Sequence, residues 1–220
     1  MPRPGRAFDV PTPGVVPHWR GVVLPGRACQ AGVMRTLVLF RHAKSAWPAG
    51  VPDHERPLGP RGQRDAPVMG RWLREAGCTP DQVVCSTARR ARETWQLAQT
   101  GLAATPPVTF DRGVYEASAA GLLALIRRTP AAVGTLLVIG HNPALEELGL
   151  MLAAPPGAAP ALQPDDTLQR MRVKFPTAAI AVLGLGGTWR ALARGQAHLA
   201  AFVTPRDQRG PDHIRGSSAQ

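Results

Sequence analysis

Cysteine is scarce in this chain: only Cys29, Cys78 and Cys85 occur among 220 residues. They form no CxxC pair, which excludes a disulfide framework and a thiolate metal site and fits a reducing cytoplasm. Aromatic residues are also few, with one tyrosine and five phenylalanines. No uninterrupted apolar run approaches the roughly 18 residues that span a membrane. Lysine is nearly absent. Lys44 and Lys174 are its only occurrences, so 24 of the 26 basic residues are arginine.

What is present bounds the class further. A hydrophobic fraction of 44% excludes wholesale disorder, and 220 residues suffice for one large α/β domain with a real core. The formal charge of +11 first suggests a polyanionic partner. However, the dominance of arginine alongside 23 prolines and 23 glycines reads as the codon bias of a GC-rich genome, and the bulk of the charge as a solvated surface.

Residues 1–33 hold six prolines and five glycines with no sustained period of 2 or 3.6 and no 7–15-residue apolar signal core. They are expected to be a disordered or loosely attached extension, with Met34 as the natural start. From there strands and helices alternate. Thr36–Phe40, Gln82–Cys85, Val108–Phe110 and Thr135–Ile139 read as buried strands, and Ala178–Leu183 and His198–Phe202 as two more. Helices are expected over Gln63–Ala76, from a Ser86 cap to Leu97, over Ser118–Arg128 and over Ala144–Leu152. Residues 153–170 read as a Pro/Ala-rich surface loop, and the polar stretch from Arg206 as a flexible tail. This order implies a three-layer α/β/α sandwich on a mostly parallel sheet, filling residues 34–205, with its ligand at the carboxyl ends of the strands.

Those strand ends carry a distinctive set of side chains. Arg41-His42 follows the first strand, Ser86 to Arg90 the second, and Gly140-His141 the fourth. Clustered arginines would repel zinc, and no GxSxG elbow supplies a serine nucleophile. Guanidinium forks match phosphate oxygens, and a histidine among them can attack phosphorus to give a covalent phosphohistidine. The cations also depress the imidazole pKa, keeping that nucleophile neutral.

The segments LVLFRHAKSAW, DHERPLGPRG, CSTARRARETW, VYEAS and VIGHNP, in this order, resemble the histidine phosphatase superfamily with its phosphoglycerate-mutase-like fold. RHAKS and RPL resemble the SixA-type phosphohistidine phosphatases within it. The resemblance implies that His42 is the nucleophile, that Arg41 and Arg90 bind the phosphoryl group, and that His141 faces it from the opposite side. Arg90 is preferred to Arg89 because Ser86, Arg90 and Thr94 keep the family's spacing of four. Arg56 and Ser45 are further candidates for substrate binding, and Trp47 for a wall of the site. Glu116 is the candidate proton donor, with Asp53, His54 and Glu55 as alternatives. Where the wider superfamily has Gly after the nucleophile and Asn six positions past it, this chain has Ala43 and Pro48.

The expected activity is a phosphatase that needs neither metal nor cofactor, acting on a phosphorylated protein, most naturally one bearing phosphohistidine. A phosphatase for a sugar, nucleotide or cofactor phosphate is the alternative. A non-catalytic phosphate- or nucleic-acid-binding module is a third reading, weakened by the intact histidine pair. Neither a nucleic-acid nor a membrane partner is expected.

Overall fold

A computed structural model describes residues 34–153 and 166–208. The expectations for residues 1–33, for most of the 153–170 loop and for the tail beyond 208 lie outside the described residues.

The strongest apolar run forms the middle of the sheet. β1 (Arg35–Arg41) pairs in parallel with β4 (Thr135–Gly140) on one side and antiparallel with β5 (Ile180–Leu185) on the other. β2 (Gln82–Ser86) lies parallel to β4 and to β3 (Val108–Asp111), and β6 (Ala197–Val203) runs antiparallel to β5. The order is therefore β3-β2-β4-β1-β5-β6, with only β5 reversed.

Alternation along β1 divides the core into two layers. Leu37 and Leu39 point into one apolar cluster, and Val38 and Phe40 into the other. The second layer holds α1 (Pro60–Glu75) and α2 (Arg89–Ala98), through Met69, Trp72, Leu73 and Trp95. The first holds α3 (Ala119–Ile126), α4 (Ala144–Ala153) and α5 (Asp166–Val173). This is the expected three-layer α/β/α sandwich. Among the described residues, no helix is long and apolar enough to cross a membrane.

Several boundaries differ from the sequence reading for identifiable reasons. α1 starts at Pro60, where the missing N–H of proline costs nothing in the first turn. α3 starts one residue later than expected, at Ala119, because Ser118 caps it, its Oγ accepting from the Gly121 amide at 3.1 Å. Ser86 does not cap α2, because it remains in β2 and the helix starts three residues later at Arg89. α5 occupies the end of the expected Pro/Ala-rich loop, since its eight residues carry little apolar periodicity beyond the buried Met171. β5 starts two residues late because Ala178 lies in left-handed backbone, φ 61°. Its amide donates to the carbonyls of both Arg41 and His42 at 3.1 Å, which ties this strained residue to the end of β1.

Two glycines allow the close approaches that place the site. A Cβ on Gly62 would overlap the Lys44 carbonyl, and one on Gly70 would overlap the carbonyl of Ala98. Only glycine lets α1 sit against both the chain after His42 and the end of α2.

Candidate active site

The carboxyl ends of β1, β2 and β4 bring His42, Arg90 and His141 together. The two imidazoles lie with ring centroids 4.9 Å apart, tilted by 52°. His42 is 8% exposed, and its Nδ1 lies 2.8 Å from the Ala43 carbonyl. A carbonyl only accepts, so Nδ1 carries the proton and Nε2 keeps a free lone pair. Arg90 Nε donates toward that Nε2 at 3.4 Å.

His141 takes the opposite tautomer. Its Nδ1 accepts from Arg90 Nη2 at 3.4 Å, so its Nε2–H donates to Ser86 Oγ at 2.8 Å. Ser86 Oγ also accepts from the Ala88 amide at 3.3 Å. The hydroxyl read as a helix cap thus orients the second histidine. Thr94 is fully buried and fixes the loop from below: its Oγ1 accepts from the Ala43 amide at 3.0 Å and donates to the Arg90 carbonyl at 2.6 Å. The same residue holds the backbone carbonyl that selects the His42 tautomer and the helix turn that carries Arg90.

Burial is the main reason both imidazoles are neutral. It lowers His42 to about 3, aided by His141, Arg90 and Arg41 and opposed by the hydrogen bond to Ala43. His141 falls to about 4 through burial and then Arg90, with Asp53 pulling the other way. Arg41 donates from Nη1 to the Phe175 carbonyl at 2.5 Å, while its buried Nε has no hydrogen-bond partner among the described residues. A half-buried guanidinium with an unmatched donor beside a neutral nucleophile suits an incoming phosphoryl oxygen.

A 3-10 turn over Asp53–Glu55 covers this edge. Asp53 accepts from Tyr115 Oη at 2.7 Å, from Arg56 Nη1 at 2.7 Å and from Arg90 Nη2 at 3.0 Å. Arg90 Nη1 also donates to the Asp53 carbonyl, at 2.6 Å. The Tyr115 hydroxyl and then the two arginines hold the Asp53 carboxyl well below the usual carboxylate range. It stands as an anion paired with both guanidiniums. His54 bridges Glu55 Oε1 through Nδ1 and Thr87 Oγ1 through Nε2, at 2.6 and 3.0 Å.

Arg56 is buried and its donors are directed into its own loop. They reach the Ala46 carbonyl, Asp53 and Ser45 Oγ at 3.1, 2.7 and 2.6 Å. Trp47 is 74% exposed and covers the Arg56 guanidinium at 3.0 Å rather than walling the imidazoles. Arg89 points away to Glu93 at 2.7 Å, leaving Arg90 to face the histidines. Glu116 is exposed, and no hydrogen bond among the described residues joins it to the histidine pair. Tyr115, the only tyrosine in the chain, is not among the expected site residues, yet it packs edge-on against both His141 and His54. Its position just past β3 is the signal that would have found it, by the strand-end rule that found the others.

This architecture is shared with known proteins. The model of the histidine phosphatase superfamily (branch 1) matches residues 37–124. A solved structure from Nakamurella multipartitia, provisionally named phosphohistidine phosphatase SixA, is 33% identical with a TM-score of 0.68, over 78% of this chain and 96% of that one. The chain belongs to the histidine phosphatase superfamily. A second structure with the same provisional name, from Agrobacterium tumefaciens, is 28% identical with a TM-score of 0.63, over 78% of this chain and 98% of that one. An uncharacterised protein of Mycobacterium tuberculosis is 43% identical over 167 residues, 76% of this chain and the whole of that relative. The enzyme is therefore a histidine phosphatase. Within the family frame, its imidazole pair and Arg90 stand at the strand ends, and the loop from Ala46 to Arg56 folds over them.

Proposed function

We propose that this histidine phosphatase hydrolyses phosphohistidine on a protein through a phosphoenzyme formed on His42. One observation carries the reading: His42 presents an unprotonated Nε2 toward Arg90, its other nitrogen being committed to the Ala43 carbonyl. Nε2 attacks phosphorus, and the bond from phosphorus to the substrate imidazole breaks. Glu116, exposed beside Tyr115, supplies the proton that the departing nitrogen takes up. Water then attacks the phosphorus on His42, giving a proton back to the Glu116 carboxylate, and the phosphorus–Nε2 bond breaks to release inorganic phosphate and restore the neutral ring. Arg41 and Arg90 balance the charge on the equatorial oxygens, and His141, its Nε2–H committed to Ser86, holds Arg90 in place through Nδ1. Arg56 and Ser45 act on substrate indirectly, by fixing the turn that bears Asp53.

A protein substrate is favoured by the rim. Trp47, Asp53 and Glu116 are all exposed, and among the described residues only the short Asp53–Glu55 turn lies between β1 and α1. The names borne by the Nakamurella and Agrobacterium structures point the same way. A cytoplasmic setting is part of the proposal, supported by the free, buried thiols of Cys78 and Cys85.

His42→Ala should abolish phosphate release from a phosphohistidine peptide while leaving the protein folded. The wild type should trap a 32P label on His42 in acid-labile, base-stable form. Activity retained by the variant would refute the nucleophile.

A further inference from the structure

A second concave site lies on the same edge of the sheet and is not used by the chemistry above. It is a cleft of about 470 Å³ between the start of α1, the end of α5 and the chain leaving β6. Strand register fixes where it opens. Phe40 pairs with Ile180, and Ile180 with Val203, so the end of β6 stands two strands from the end of β1, about 10 Å away. The wall is also bonded to the active site, because Arg41 donates to the carbonyl of Phe175, which sits between the lining residues Lys174 and Pro176.

The cleft carries four cations, Arg61, Arg170, Lys174 and Arg206, and one anion, Asp207. Arg170 is neutralised by Asp207 at 2.8 Å, and Arg61 contacts Asp65 at 3.3 Å. Lys174 and Arg206 are exposed and make no ion pair with any described residue. Val173, 75% exposed, stands beside them as a bare apolar side chain. Free cations next to exposed hydrocarbon do not match a simple inorganic ion, which would make no use of Val173. They match a peptide that carries acidic and apolar side chains together. A nucleic-acid strand would need an extended basic groove with accessible aromatic faces, whereas the one aromatic of this cleft, Phe202, is buried.

We propose that this cleft is a docking subsite for an acidic segment of the phosphoprotein substrate, about three residues along the chain from the phosphorylated side chain. The spacing follows from the 10 Å separation at about 3.3 Å per extended residue. The inference rests on the protein-phosphatase reading and adds its sequence preference.

The test compares the wild type with Lys174→Ala/Arg206→Ala on three substrates: a phosphohistidine peptide with Asp and Glu three positions to either side, the same peptide with Ser there, and phosphoramidate. The variant should raise KM for the acidic peptide about fivefold with kcat unchanged, the size expected for two partly screened charges. The Ser peptide and phosphoramidate should not respond, and the preference of the wild type should shrink as salt rises. Equal KM values for the two peptides on the wild type would overturn the subsite. Lys174→Glu/Arg206→Glu should invert the preference toward a Lys-bearing peptide, and failure to do so would also overturn it. Anisotropy with an unphosphorylated acidic peptide reads the cleft without catalysis. Binding there together with inactivity on every substrate would refute the phosphatase reading and leave the cleft standing.

Discussion

Acid should unfold this enzyme through its own active site. His42 is neutral in the folded protein down to about pH 3, whereas an exposed histidine in the unfolded chain titrates near its ordinary value of about 6.5. Between those values the unfolded chain binds a proton that the folded chain refuses. Stability is thus fully present above about pH 6.5 and is lost progressively as the pH falls toward 3. At pH 5 the interval is about 1.5 units, and at about 1.4 kcal/mol per unit His42 alone costs about 2 kcal/mol. His141, lowered to about 4, acts in the same direction. The perturbation is His42→Asn, and the assay is urea unfolding followed by tryptophan fluorescence, since Trp72 and Trp95 lie in the core. Carboxylates common to both proteins cancel in the comparison. From pH 7.5 to pH 5 the wild type should lose about 2 kcal/mol more than the variant, a midpoint difference of about 1 M urea. Parallel curves would refute the reasoning, because they would mean that His42 titrates in the fold as it does in water.

Two further outcomes follow from the geometry. Ser86→Ala removes the acceptor of the His141 Nε2–H and leaves a part-buried donor without its partner, at a cost of about 1–2 kcal/mol. Steady-state kinetics should show kcat reduced about tenfold, and a change under twofold would remove Ser86 from the site. Gly70→Ala drives a methyl group into the backbone carbonyl of Ala98, where neither helix can yield locally. It should destabilise the fold by about 3 kcal/mol or more, read as a lowered thermal midpoint, and a midpoint within a degree or two of wild type would contradict the packing.

The sequence made some of this legible because strand ends are a strong constraint. Three apolar runs followed by Arg41-His42, Ser86 to Arg90 and Gly140-His141 converge on one edge of a parallel sheet, and the structure brings those groups together. What stayed hidden depended on side-chain direction across the fold. Asp53 looked like a spare acid in a loop, and only its contacts with Arg56, Arg90 and Tyr115 show it to be a fixed anion. Arg56 looked like a phosphate ligand because motif spacing does not reveal that Ser45, Ala46 and Asp53 already engage its fork. Ser86 had the right residue type for a cap, but β2 runs one residue further than its apolar pattern, which turns the hydroxyl toward His141. α5 was missed because so short a helix is held by tertiary contacts such as that of Met171, which leave no periodic trace.

The bond between Asp53 and Arg90 bears on how the enzyme rests between turnovers. A guanidinium waiting beside two neutral imidazoles would otherwise stand uncompensated in a partly desolvated cavity, at considerable electrostatic expense. The carboxylate serves as a resident counter-ion, so an arriving phosphoryl group enters by exchange of one anion for another rather than by filling a naked positive hole. The same exchange in reverse gives inorganic phosphate a competitor at its moment of departure, so the turn over Asp53–Glu55 can assist in clearing the site.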